Sequence, residues 1–263
     1  MKFIHSIIDP FRPKLKPKII IIGAQKSGTS ALFEMLARHP KIIPPNRKEI
    51  TFFNDEDFYC KGIEAYWKTF PIRPLRGGGW NTLDATPGYL SHPQAAKRLY
   101  KHIPKASLLV LLRDPVRRAY SDHNMFSQFK GNSRYNHLFD SRTFEEAMNQ
   151  ELAAADQKDA PYLTRGHYAD QLANYFDYFD KEQILIFDHG HFKQNPEVVL
   201  KAICVKNDLS TDWVNAEVRA VRNNVRNYKS VLSEEMESRL REYYEPHNEN
   251  LAELLGYRLD LSE

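Results

Sequence analysis

The sequence predicts an α/β fold: a single domain with a central parallel sheet and helices on both faces. Three observations lead there. Four short runs are continuously apolar rather than alternating, which fits strands covered on both sides. Segments of helical period lie between those runs, and strands alternating with helices build parallel sheets. The 263 residues are 42% hydrophobic and 27% charged, the proportions of a folded chain and not of a disordered one.

The elements follow in order. Lys18 to Ile22, a lysine and four isoleucines, is the first strand. Thr29 to His39 puts Leu32, Phe33 and Leu36 on one side and stops before Pro40, as a helix does. Trp80 to Asp84 follows Gly77-Gly78-Gly79 and reads as the second strand. Gln94 to His102 is a helix, Ser107 to Leu112 the third strand, and Val116 to Phe129 the helix after it. Tyr168 to Phe179 spaces Leu172, Tyr175, Phe176 and Phe179 helically, and Gln183 to Phe187 is the fourth strand. Ser233, with Glu235 and Met236 after it, reads as the N-cap of a helix through Tyr244.

Composition narrows the function. With 37 basic and 34 acidic residues the net charge is +3. That is too balanced to imply a nucleic acid or an anionic membrane, although a local basic patch can still bind phosphate or sulfate. Cys60 and Cys204 make no disulfide framework and suit a reducing compartment. No apolar run approaches the roughly 20 residues of a membrane helix. Residues 1–17 carry Arg12, Lys14 and Lys16 among Pro10, Pro13 and Pro17 and read as a flexible basic leader, not a signal peptide. The expected domain is then 18–263, and the expected location cytoplasmic.

The most informative stretch is Ile19-Ile20-Ile21-Ile22-Gly23-Ala24-Gln25-Lys26-Ser27-Gly28-Thr29-Ser30. A buried strand enters a small-residue turn that opens a helix, and the amides of such a turn form an anion cradle. Gly23-x4-Gly28 has the spacing of a phosphate-binding loop, but Thr29-Ser30 stands where a nucleotide triphosphatase has Lys-Ser or Lys-Thr. The lysine lies inside the turn, at Lys26. A glycine-bearing turn with a surface lysine is the plainer alternative; the full strand, lysine and Gly-Thr-Ser context favours function. A second anchor is Arg113, which leaves the third strand at its carboxyl end, where ligands bind in open α/β sheets. Ser121 lies nearly two turns along the helix begun by Pro115 and could join Arg113 around one phosphate; taken alone, a strand-end arginine paired with Asp114 and an ordinary helix serine would be the plainer reading.

These two segments together resemble the sulfotransferases that use 3′-phosphoadenosine 5′-phosphosulfate (PAPS), particularly the glycan branch with the heparan sulfate N- and O-sulfotransferases. Lys48-Glu49-Ile50-Thr51-Phe52-Phe53-Asn54, Tyr59 to Trp67 and Thr86-Pro87-Gly88-Tyr89 carry the nearer likeness, which runs from about Lys18 to Gly256. The resemblance implies a P-loop-like site in which Gln25, Lys26, Ser27, Gly28, Thr29 and Ser30 hold the 5′-phosphosulfate. Arg113 and Ser121 would hold the 3′-phosphate, with Arg226 near a further nucleotide-contacting arginine. It implies PAPS as donor and 3′,5′-adenosine bisphosphate (PAP) as product, with an acceptor glycan or other hydroxylated small molecule as partner. Two departures stand out. Asp84-Ala85 replaces the Glu-Lys of the heparan enzymes, and Arg219 to Tyr228 lacks the cysteine of their bridged loop.

Sulfuryl transfer asks mainly for positioning and charge stabilisation. Lys26 and the loop donors answer the charge on the leaving phosphate, and no metal is expected. Glu49 is the expected base by the family match, since an attacking hydroxyl must lose a proton; His92 is the alternative. Without that match, a solvated glutamate paired with Lys48 or Arg47 would be the default. Phe52 and Phe53 are expected to be core or pocket wall. A small-molecule kinase and a non-catalytic nucleotide-binding module stay open as other readings.

Overall fold

The computed structural model describes residues 12–154, 160–214 and 232–261. Its centre is a four-stranded parallel sheet in the order β2-β1-β3-β4. The strands are β1 (Ile19–Gly23), β2 (Leu83–Ala85), β3 (Ser107–Leu112) and β4 (Ile184–Asp188). The main helices are α1 (Thr29–Leu36), α2 (Ala95–His102), α3 (Pro115–Phe126), α4 (Phe144–Leu152), α5 (Tyr168–Phe176), α6 (Pro196–Lys206) and α7 (Glu234–Leu255).

Burial explains why the strands read as continuous runs. Ile20, Ile22, Leu108, Val110 and Leu112 face one core, with Leu99 of α2, Leu172 and Tyr175 of α5, and the Phe52-Phe53 pair. Ile19, Ile21, Leu109 and Leu111 face the other, with Leu32 and Leu36 of α1 and Leu200 and Ile203 of α6. Adjacent residues point to opposite faces, so two covered faces demand an apolar residue at every position. Phe52 and Phe53 are fully buried, as core.

The chain passes from β1 to β2 on one side and then returns to β3 on the other. The gap between the carboxyl ends of β1 and β3 is therefore the switch point of the sheet, where ligands enter such folds.

Helices α1, α3 and α5 each end three residues before the expected His39, Phe129 and Phe179, and three further expectations change. Of the basic leader, the segment from Pro13 to Lys16 is packed: Lys14 bridges to Ile72, Leu15 is buried with its N–H on the Pro71 carbonyl, and Lys16 lies over the Trp67 ring. β2 starts three residues late, because Asn81 makes only an isolated bridge to Ile42. Finally, α7 continues past Tyr244 through Pro246 to a left-handed cap at Gly256. A proline removes one backbone bond, and the buried stripe Met236, Leu240, Tyr244, Leu251 outweighs that loss.

Helices α5 and α7 meet at a pair of histidines. The rings of His167 and His247 are stacked 3.7 Å apart, and His167 Nε2 lies 2.8 Å from Tyr243 Oη. Burial first, then the His247 charge, pulls the His167 pKa down to about 4, against a weaker pull upward from Asp170. The unfolded chain binds that proton near 6.5, so the contribution to stability is whole above pH 6.5 and is lost as pH falls toward 4. Thermal unfolding between pH 7.5 and 4.5 should show Tm declining over this window, with a shallower slope in His167→Gln. Asp170 completes a group whose ligand-capable atoms lie within 4.8 Å. However, cofacial imidazoles direct their in-plane lone pairs side by side and not at one point, so this arrangement is packing.

Candidate functional site

The loop after β1 is shaped by close contacts. A Cβ on Gly23 would lie 2.5 Å from Leu90 Cβ, so only glycine lets the turn at residues 86–90 sit on the strand end. That turn is held by Thr86 N–H on the Ile21 carbonyl and Leu90 N–H on the Ile22 carbonyl. Beneath it lies Asp84, fully buried, whose carboxylate accepts hydroxyls from Thr86, Tyr66 and Tyr89 at 2.8, 2.9 and 3.0 Å. Burial raises the Asp84 carboxyl above the usual range, and the three hydroxyl donors oppose the rise. Asp84→Ala would leave three hydroxyls without their acceptor, at roughly 1–3 kcal/mol each. Differential scanning calorimetry should show Tm lowered by roughly 6–12 °C for a loss of about 3 kcal/mol.

The loop itself has the make-up of an anion cradle. Gly28 caps α1 in the left-handed region, φ 86°, and no side chain caps the helix. The first-turn amides thus have no side-chain acceptor, which is the arrangement an anion satisfies. Ser27 is fully buried, and its Oγ has no hydrogen-bond partner among the described residues. A Cβ at Gly28 would meet His189 Cδ2 at 3.2 Å, which brings the residue after β4 to the loop. Thr29 is buried; Gln25, Lys26 and Ser30 are partly exposed. An unsatisfied buried hydroxyl, an uncapped helix start and an adjacent lysine fit a bound phosphate or sulfate group.

The second anchor joins the first. Arg113 Nη1 donates to the Lys26 carbonyl at 3.1 Å, across 87 positions of sequence. Tyr168 Oη in turn donates to the Arg113 carbonyl at 2.9 Å. Asp114, the plainer partner for Arg113, instead caps α3 through Arg117 N–H and pairs with Arg241 at 3.1 Å. Ser121 is buried on α3. Arg226 lies outside the described residues.

Glu49 sits at the end of β2, its N–H on the Ala85 carbonyl at 3.1 Å and its φ at 61°. Its carboxylate accepts from Lys48 Nζ at 3.1 Å, and the same ammonium donates to Ser30 Oγ at 2.8 Å. Arg47, the other partner considered, turns to the Ile50 carbonyl. The structure therefore links Glu49 to the loop. His92 is used differently: its Nδ1 accepts the Gln94 N–H at 3.3 Å, and burial, then Arg98, lowers its pKa. Sequence reading missed Lys48 as a connector, and also Arg165 and Gln171, which line a cleft with Gln25 beside Pro87 and Ser91. Lys48 carried one signal, its place beside Glu49.

Residues 16–205 match the profile of the family described as "Sulfotransferase domain". The chain belongs to the sulfotransferase family. Mouse heparan sulfate glucosamine 3-O-sulfotransferase 5 is 34% identical over 181 residues, which is 68% of this chain and 50% of that protein. Mouse bifunctional heparan sulfate N-deacetylase/N-sulfotransferase 4 is 31% identical over 196 residues, 71% of this chain and 22% of the relative. The chain thus spans half or less of the length of these curated relatives. Among solved structures, a sulfotransferase from Alicyclobacillus acidocaldarius superposes with a TM-score of 0.70 at 26% identity, covering 93% of this chain and 97% of the other. The sulfotransferase fold is the one predicted: a single α/β domain, a parallel sheet flanked by helices, and a P-loop-like turn at its switch point.

Proposed function

We propose that this sulfotransferase moves the sulfuryl group of PAPS to a hydroxyl or amine of a carbohydrate acceptor. The observation that carries the reading is the Arg113–Lys26 hydrogen bond, which gathers two anion-binding segments at one switch point. PAPS has two anionic ends, and in this reading each of the two segments takes one.

When bound, PAPS supplies an activated sulfuryl group whose leaving group is the nucleotide phosphate. The chain's own residues then divide the work. Gln25, Lys26, Ser27, Gly28, Thr29 and Ser30 surround the 5′ end, where Lys26 contacts the transferred sulfuryl group and, with the amides at the start of α1, answers the negative charge growing on the leaving phosphate. Arg113 and Ser121, with Arg226, take the 3′-phosphate. Glu49 accepts the proton of the attacking acceptor oxygen. The support for a carbohydrate is the likeness to enzymes named for heparan sulfate. Ala85, small and buried in β2, leaves the acceptor side without the lysine those enzymes carry there, which argues for a glycan other than heparan sulfate. A cytoplasmic location is part of the proposal, in keeping with the free thiols of Cys60 and Cys204, and cell fractionation tests it.

A screen of oligosaccharides with 35S-labelled PAPS tests the function. Label on a sugar, undiminished by EDTA, is the expected result. Absence of 35S transfer together with magnesium-dependent phosphoryl transfer from ATP would point to a kinase-like enzyme, and PAP binding with no transfer to any acceptor would point to a non-catalytic module.

A further inference from the structure

Lys48 occupies a place that the reading so far does not use. Its ammonium donates to Ser30 Oγ at 2.8 Å and to Glu49 Oε1 at 3.1 Å, and so touches both the loop that opens α1 and the residue assigned as base. The main chain of Glu49 is fixed by its N–H on Ala85, but its side chain is 57% exposed against 21% for Lys48. An exposed glutamate side chain has several rotamers open to it, and the Lys48 ammonium selects the one that points toward the loop.

The arrangement has little value for stability, because exposed ion pairs typically contribute only about 0–1 kcal/mol. Its value for catalysis is larger, since a displacement of about 1 Å in a reacting group can cost about 10²-fold in rate. A serine hydroxyl that accepts from Lys48 also keeps its own proton to donate to an anion held at the loop. The contact therefore does not compete with Ser30 as a ligand of the donor.

We propose that Lys48 is a positioning residue: it holds the Glu49 carboxylate against the donor loop, so that base and loop form one rigid unit. The inference rests on the reading of Glu49 as base. Neither the lysine's charge alone nor its neighbour in sequence requires this; the ammonium's simultaneous contact with Ser30, 18 positions earlier, is what carries it.

The test is a double-mutant cycle with Lys48→Met, Lys48→Arg, Glu49→Gln and the Lys48→Met/Glu49→Gln pair, with kcat and PAP affinity measured for each. Affinity for PAP also shows that each variant is folded. Lys48→Met should lower kcat about 10–100-fold and leave PAP affinity within about threefold, with Lys48→Arg recovering most of the loss. In the Glu49→Gln background the same Lys48→Met change should cost less than about threefold, because the group it positions is gone. Unchanged kcat in Lys48→Met would overturn the proposal. So would an equal loss in both backgrounds, which would mean that the lysine acts independently of Glu49. Near-normal turnover in Glu49→Gln alone is a separate failure: it removes the base assignment, and the proposal with it, before the pair is examined.

Discussion

Glu49→Gln should lower turnover by about 10²–10⁴-fold, the usual worth of a general base, and leave PAP affinity within about threefold. The substitution keeps the size of the side chain and an oxygen for the Lys48 ammonium, but it cannot take a proton. The backbone contact to Ala85 does not involve the side chain, so the loop geometry survives. A steady-state assay with saturating PAPS and a responsive acceptor measures the effect. Near-normal turnover would transfer the assignment to another group, with His92 next to be tested despite its Nδ1 being engaged at Gln94.

Lys26→Met should lower turnover by about 10²–10³-fold, the cost of removing one donor aimed at charge that grows in the transition state. This variant differs from Glu49→Gln in what else it changes. Lys26 is placed on the donor side, where its carbonyl receives Arg113 and its φ is 71°. Affinity for PAPS should therefore fall along with turnover. The backbone contact to Arg113 is retained by methionine, so PAP, which lacks the sulfuryl group, should lose less affinity than PAPS. Calorimetric titration with PAP and with a non-transferable PAPS analogue separates the two losses. Equal losses for both ligands would place Lys26 on the phosphates and not on the transferred group.

How much of this was legible in the sequence depends on how local each signal is. The central strands β1 and β3 could be read because burial on both faces favours an apolar residue at each position, as in Ile19 to Ile22 and Leu108 to Leu112. The loop was legible because a buried strand, two spaced glycines, a lysine inside the turn and the Gly-Thr-Ser that opens a helix stand together, where the glycines alone would have fitted an ordinary turn. Arg113 was legible as a strand-end cation, but its bond to Lys26 was not, since that depends on β1 and β3 being neighbours. Glu49 could be singled out only through the family resemblance; as a charge beside Lys48 it was unremarkable. The Lys48–Ser30 contact, across 18 positions, and the Asp84 cluster of Tyr66, Thr86 and Tyr89 hydroxyls carry no periodic signal. The same holds for Leu15 on Pro71, which tied down part of a segment whose prolines and lysines read as a leader. In α7, tertiary packing overrode the local rule that proline ends a helix.

The central claim is that one site, built from the β1 loop and the end of β3, receives the two anionic ends of PAPS. Its most direct test is the affinity of the unmodified protein for PAP, compared in EDTA with adenosine 5′-phosphate and, separately, with ATP and magnesium. Each charged hydrogen bond to the 3′-phosphate is worth on the order of 1.5–3 kcal/mol, so PAP should bind at least about tenfold more tightly than adenosine 5′-phosphate. Arg113→Ala should erase most of that margin. Equal affinity for the two adenosine nucleotides, or a preference for ATP with magnesium, would contradict the account.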